Sequence, residues 1–203
     1  GIIALTSAYW SVIQADGILD REDNARLVLD AQSIQRGTIY DRNGERLAYS
    51  EAQSDGLMQR FYPHPETTDA TGYYSFTYGG AGIEGAFEAE LSGDDLHNEW
   101  EQIWDEALHR SQTGSDLRAT IDLDVQQSVS AALDDHSGAV IVVDVPSGEI
   151  LALVSHPGYD PNTLDDNWDD LTEDEDTSPL LNRVTAGFYQ PGGALQTVIL
   201  AAI

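Results

Sequence analysis

Arg36-Gly-Thr-Ile-Tyr-Asp-Arg-Asn-Gly-Glu-Arg-Leu-Ala-Tyr-Ser50 is the stretch whose reading decides the fold. Two short strand-like runs flank Asn43-Gly44, and both of those residues tolerate the positive φ that a tight hairpin turn requires, so the spacing predicts a β-hairpin.

Further along, Gly72 to Gly82 is rich in Gly and Tyr and reads as a loop. Ile83, Phe87 and Leu91 stand at helical spacing with Gly93 just beyond, which predicts one short helix. Leu96, Trp100, Ile103 or Trp104, and Leu108 repeat the period and predict a second helix before the polar stretch Ser111 to Asp116. A domain boundary is placed in that stretch. Beyond it, Asp122 can cap a helix with apolar positions Val125, Val129 and Leu133, closed by Gly138. Ala139-Val-Ile-Val-Val-Asp144 and Glu149-Ile-Leu-Ala-Leu-Val-Ser155, joined by Val145-Pro-Ser-Gly148, predict a buried central hairpin. Between Asp165 and Asp176 eight of twelve residues are acidic, which self-repels and reads as a solvated loop rather than a calcium site. Pro191-Gly-Gly-Ala-Leu-Gln196 then opens an apolar helical run to Ile203.

Toward the N-terminus, Asp20 to Gln35 is polar, and Gly1 to Ala15 is apolar and almost uncharged. The latter falls short of the roughly 20 residues that span a bilayer. It fits either the outer end of a membrane anchor, with Tyr9 and Trp10 at headgroup level, or an ordinary buried or amphipathic helix. A start at Gly1 without Met and a stop inside an apolar run are read as cuts through a longer protein.

Composition narrows the function. The 203 residues carry 36 acidic against 9 basic groups, a formal charge of -27, so nucleic acid and anionic lipid would be repelled. All basic residues are Arg, so a Schiff base, a P-loop or a lysine general base cannot be built. Absence of Cys removes disulfides, thiolate catalysis and thiolate zinc sites. The acidic, lysine-free surface fits a saline habitat or a lineage bias equally. His64, His97, His109, His136 and His156 show no paired i,i+4 spacing, so no metal or cofactor site is expected.

The series Arg36-Gly37 through Asp41-Arg42-Asn43-Gly44 and Leu47-Ala48 resembles the opening of the pedestal, or dimerisation, domain of class B penicillin-binding proteins. Arg60-Phe-Tyr-Pro63, Thr71-Gly-Tyr-Tyr-Ser75, Gly82-Ile-Glu84 and Leu91-Ser-Gly93 follow in the order of the PbpA-like branch. Thr120-Ile-Asp122 with Gln126, Gly138-Ala-Val140, Ser147-Gly-Glu-Ile-Leu-Ala152, Pro157, Tyr159-Asp-Pro-Asn162 and Asn182-Arg183 resemble the first part of the transpeptidase domain. The resemblance implies a mixed α+β and α/β fold: residues 1–16 as the outer end of an anchor, 17–116 as the pedestal, and 117–203 as a truncated transpeptidase domain of the serine β-lactamase-like type.

In active relatives the next block reads Tyr-x-Pro-Gly-Ser-x-x-Lys, where serine attacks a D-Ala-D-Ala stem peptide and lysine accepts its proton. Three residues apart at a helix start, the two share one face, so the amine reaches the hydroxyl. Here the block is Tyr189-Gln190-Pro191-Gly192-Gly193-Ala194-Leu195-Gln196, with Gly193 at the nucleophile position and Gln196 at the base position. Glycine offers nothing to acylate, and a neutral amide accepts no proton near neutral pH. Ser155 and Ser178 have no base at helical spacing and no Gly-x-Ser-x-Gly elbow occurs, so neither is expected to substitute. The family's downstream Ser-x-Asn and Lys-Thr-Gly motifs do not occur before Ile203.

The resulting expectation is a non-catalytic homologue in cell-wall assembly, outside the cytoplasmic membrane. Its expected partners are peptidoglycan strands or stem peptides and a polytopic membrane glycosyltransferase. The rival readings are part of a working D,D-transpeptidase that uses residues outside this chain, and a drifted extracellular binding module.

Overall fold

The computed structural model describes residues 32–54, 56–94, 113–133, 136–189 and 194–201. The expected anchor (1–16), the helix expected over Leu96 to Leu108 and the Pro191-Gly192-Gly193 turn lie outside the described residues. In chain order the strands are β1 (Ile39–Tyr40), β2 (Arg46–Ala52), β3 (Met58–Phe61), β4 (Tyr74–Ser75), β5 (Gly79–Gly80), β6 (Leu117–Arg118), β7 (Gly138–Val143) and β8 (Ile150–His156). The helices are α1 (Thr68–Thr71), α2 (Gly82–Ala86), α3 (Glu88–Ser92), α4 (Leu123–Leu133), α5 (Trp168–Glu173) and α6 (Ala194–Ala201), with 3-10 turns at Pro65–Thr67 and Pro161–Thr163.

Contacts sort these elements into two compact units, and neither is continuous in sequence. One draws its described residues from Gly1–Thr38, Tyr49–Phe61 and Glu88–Leu117, the other from Ile39–Ala48, Tyr62–Phe87 and Arg118–Ile203.

In the first unit, the later part of β2 pairs antiparallel with β3, from Tyr49↔Phe61 to Ala52↔Met58. The Tyr49 and Phe61 rings stack with centroids 5.8 Å apart. Leu91 of α3 is fully buried, and its carbonyl accepts from the Gly37 N–H at 2.9 Å. Gly37 is required there because a Cβ would stand 1.8 Å from the Ser115 carbonyl oxygen. Arg36, itself buried, grips Glu88 through its two terminal guanidinium nitrogens at 2.6 and 2.8 Å.

In the second unit the expected hairpin forms. Ile39 pairs with Ala48 and Tyr40 with Arg46. Its turn differs from the expectation: Gly44 alone takes positive φ (96°), because the buried Asp41 carboxylate accepts from Asn43 and Glu45 N–H at 2.7 and 2.9 Å and holds a wider loop. The segment after β6 lines the other side of β1, with Ala119 N–H donating to the Tyr40 carbonyl at 2.8 Å.

Asp122 caps α4 as expected, its carboxylate accepting from Val125 N–H at 3.3 Å. The buried positions of α4 are Leu123 and Gln126, while Val125, Val129 and Leu133 are half-buried. Gly138 does not close this helix; it is the first residue of β7.

Strands β7 and β8 pair from Gly138↔His156 to Val143↔Ile150 around the Asp144-to-Gly148 turn. Burial is one-sided, which corrects the expected buried hairpin. Ala152 to Ser155 of β8 are buried, whereas Ile141 and Val143 of β7 are exposed. Alternation sends these side chains to a face that no described residue covers enough to bury.

Three further expectations are corrected. The Gly72 to Gly82 loop contains the β4–β5 ribbon, Tyr74↔Gly80 and Ser75↔Gly79. The expected single helix is two, α2 and α3, separated at Phe87, whose φ of -116° and ψ of 35° leave helical geometry and whose ring is exposed. The acidic run contains α5, begun by Asn167 and carrying Asp169 and Asp170 in its first turn. Carboxylates there face the positive end of the helix dipole, and exposed side chains repel less than the composition suggests.

Candidate functional site

The block that should carry the chemistry is described at its two ends. Gly193 lies outside the described residues. Gln196 is exposed on the first turn of α6, and Tyr189 is exposed ahead of it. Tyr189 lines a cleft of about 490 Å³ together with Gly138, Val140, Ile141, Arg183 and Val184. Among the described residues lining that cleft there is no histidine, carboxylate or lysine.

The two serines weighed as substitutes are both in structural use. Ser155 Oγ donates to the Leu181 carbonyl at 3.1 Å and accepts from Arg183 N–H at 3.0 Å. Ser178 Oγ donates to the Glu175 carbonyl at 3.2 Å. Neither bond activates a hydroxyl, because a backbone carbonyl cannot take the proton away.

The frame beneath the cleft depends on the outer edge of β8. Alternate backbone groups of this strand point away from β7 and would be left unsatisfied at an open edge. Leu151 carbonyl accepts from Asp122 N–H at 2.8 Å. The Gln126 amide then acts as a strand would: its Oε1 accepts from Leu153 N–H at 2.8 Å and its Nε2 donates to the Leu153 carbonyl at 2.8 Å. The same Nε2 reaches the Glu66 carbonyl at 2.7 Å. At the far end Ser155 N–H donates to Asp69 Oδ2 at 2.7 Å.

The other motif residues act in the same manner. Asn162 brackets Tyr62, accepting from its N–H and donating to its carbonyl, both at 2.9 Å. Asn182 Nδ2 donates to the Asp69 carbonyl at 2.8 Å, and its Oδ1 accepts from Val184 N–H at 3.1 Å. The Arg183 guanidinium gathers the carbonyls of Pro157, Ser178 and Leu181 at 3.2 to 3.3 Å, and that of Thr177, fixing the loop that leads to Tyr189.

Asp69 sits between these clamps. Burial pushes its carboxyl up to about 6, against the opposing influence of Ser155 N–H and the Arg183 charge. Tyr159 lies nearby, its phenol raised by burial and then by Tyr73 and Asp69. With Glu66, Ser155 and His156, both line a cavity of about 370 Å³.

Comparison with known proteins places this frame. The family model for the "Penicillin binding protein A dimerisation domain" matches residues 36–117. The Mycolicibacterium smegmatis peptidoglycan D,D-transpeptidase PbpA is 36% identical over 94% of this chain and 42% of its own length. This chain is a class B penicillin-binding-protein homologue of the PbpA type. PbpA of Mycobacterium tuberculosis is 34% identical over 99% of the chain and 44% of its own. The solved M. tuberculosis penicillin-binding protein A, in its imipenem acyl-enzyme complex, superposes with a TM-score of 0.75 at 33% identity over 85% of this chain and 42% of that one. The chain thus spans less than half the length of the curated relatives it matches. Its fold is a dimerisation domain followed by the start of a transpeptidase domain. No helix among the described residues is long and apolar enough to cross a membrane.

Sequence reading named Asp41, Gln126, Asn162, Asn182 and Arg183 only as parts of motifs; tertiary structure gives each a bond. It missed Asp69 altogether, since a lone Asp in Thr67-Thr68-Asp69 carries no local signal of burial. His97 and His109 lie outside the described residues. His64 stands 3.7 Å from Glu66, and His136 Nδ1 lies 3.2 Å from the Leu133 carbonyl.

Proposed function

We propose that this penicillin-binding-protein homologue works in peptidoglycan assembly without acylating substrate, as a scaffold or regulator on the extracytoplasmic side of the cell membrane. One observation carries the reading: Gly193 and Gln196 stand where family members place the serine and the lysine. A chain with neither group can shape a cleft but cannot hold an acyl intermediate. Residues 1–16 would form the outer end of a membrane anchor, 17–116 the pedestal and 117–203 the start of the transpeptidase domain; the family match over 36–117 supports that division. Peptidoglycan strands or stem peptides and a polytopic glycosyltransferase are the partners this role requires.

A second reading has its own support. The relatives are named D,D-transpeptidases, and one is solved as an acyl-enzyme. Under it, the full-length protein would acylate through residues outside this chain. Incubating the full-length protein with fluorescent penicillin, followed by gel analysis and peptide mass mapping, separates the two. The scaffold reading expects no covalent adduct. An adduct on any residue overturns it.

A further inference from the structure

We propose that the aromatic face built by Tyr78 and Trp168 is a docking surface for an arginine-bearing segment of a partner protein. The Tyr78 and Trp168 rings stack in parallel, with centroids 4.0 Å apart and planes inclined by 7°. Trp168 also meets Tyr73 in a T-shaped contact with centroids 6.2 Å apart, and Tyr73 in turn meets Tyr159 at 6.0 Å. One face of Tyr78 is covered by the tryptophan, yet the residue keeps 37% of its surface exposed.

The platform is held in place before any partner arrives. Buried Ser75 accepts from Thr77 and Tyr78 N–H at 3.1 and 3.0 Å, fixing the ribbon tip, and Trp168 is the first residue of α5. Little side-chain freedom remains to be lost on binding, which favours a contact built on aromatic anchors.

Charge complementarity selects the occupant. Asp165 lies close enough to Tyr73 to raise its phenol further, after burial, and Asp166, Asp169 and Asp170 are exposed around Trp168. No lysine or arginine occurs between Arg118 and Arg183, and the Arg183 guanidinium is committed to backbone carbonyls. A ring face bordered by carboxylates that form no ion pair among the described residues attracts a cation and repels an anion. Guanidinium suits it better than ammonium, because a planar, weakly hydrated cation stacks on a ring while also meeting a carboxylate edge-on. This inference does not rest on the cell-wall role.

The test uses the intact protein with two fluorescein-labelled, end-capped probes of equal charge, tetra-arginine and tetra-lysine, titrated by anisotropy at about 0.15 M salt. Tetra-arginine is expected to bind about two- to fivefold more tightly, the gain of a cation over an exposed ring. Tyr78→Ala or Trp168→Ala should reduce it to the tetra-lysine value without altering tetra-lysine binding, and Tyr78→Phe should keep the preference. Equal affinities for the two probes on the unaltered protein overturn the proposal whatever the variants do. So does a preference that survives loss of the stacked pair, or binding of an N-acetylglucosamine tetramer that displaces the arginine probe.

Discussion

Asp41 is fully buried and Asp69 half-buried in the same compact unit, and their carboxyls move in opposite directions. Burial alone would raise both. At Asp41 the backbone N–H groups of Glu45, Leu123, Asn43 and Gly44 overcome that penalty and hold the group below the usual carboxylate range. At Asp69 only Ser155 N–H and the Arg183 charge oppose burial, and the carboxyl rises to about 6. The difference teaches that convergent donors must outweigh the cost of desolvation before a carboxylate stabilises this fold as an anion: four do so at Asp41, and one donor with one charge does not at Asp69.

Removing the better-supplied of the two should do the most damage. Asp41→Ala leaves several N–H groups of the turn and of α4 without their acceptor, so a loss of roughly 3 kcal/mol or more is expected by urea denaturation. A cost under about 1 kcal/mol would show that water replaces the carboxylate and would break the comparison.

Gln126 tests whether a neutral clamp can match an ionic one. Gln126→Ala uncovers both backbone groups of Leu153 and should cost about 2 to 4 kcal/mol, with faster amide exchange at Leu153 as the local signature. Unchanged exchange there would mean that the β8 edge does not need the amide.

A pH series sharpens the contrast directly. Asp69 has a folded value raised above its unfolded one, so its favourable contribution is complete at low pH and is lost as pH rises through about 6. Between pH 5 and pH 7 the chain should lose on the order of 1 kcal/mol from this group, and Asp69→Asn should remove that slope. Asp41 contributes nothing in this window, because its lowered value makes its stabilisation fade only on strong acidification. A slope that persists in Asp69→Asn would assign the titration elsewhere.

Gly44 supplies the smallest effect. Its φ of 96° strains any other residue, but a Cβ there would meet only Arg118 Nη2 at 3.6 Å. Gly44→Ala should therefore cost about 1 kcal/mol in thermal or urea unfolding, with no loss of packing.

Legibility followed the range of the interaction. The 39–48 hairpin, the Asp122 cap, the 139–155 strand pair and the Pro-Ser-Gly turn were readable, because each is specified within a few residues by turn chemistry or alternation. The break at Phe87 and the helix inside the acidic run were not. Spacing alone cannot show that one apolar position will face solvent, or that carboxylates in a first turn will favour helix. The candidate site divides the same way. Gly193 and Gln196 were singled out by their order in a motif alone, while Asp69 and the bonding of Gln126, Asn162 and Arg183 join residues tens of positions apart.

By itself the sequence determined what chemistry this chain can offer: no lysine, no thiol, and no hydroxyl at residue 193, facts that folding cannot change. Tertiary structure alone decided which polar groups became clamps, which carboxylate was pushed toward neutrality, and which aromatic rings were left facing outward. Those outcomes depend on desolvation and on donors brought in from distant segments, and neither exists until the chain has folded.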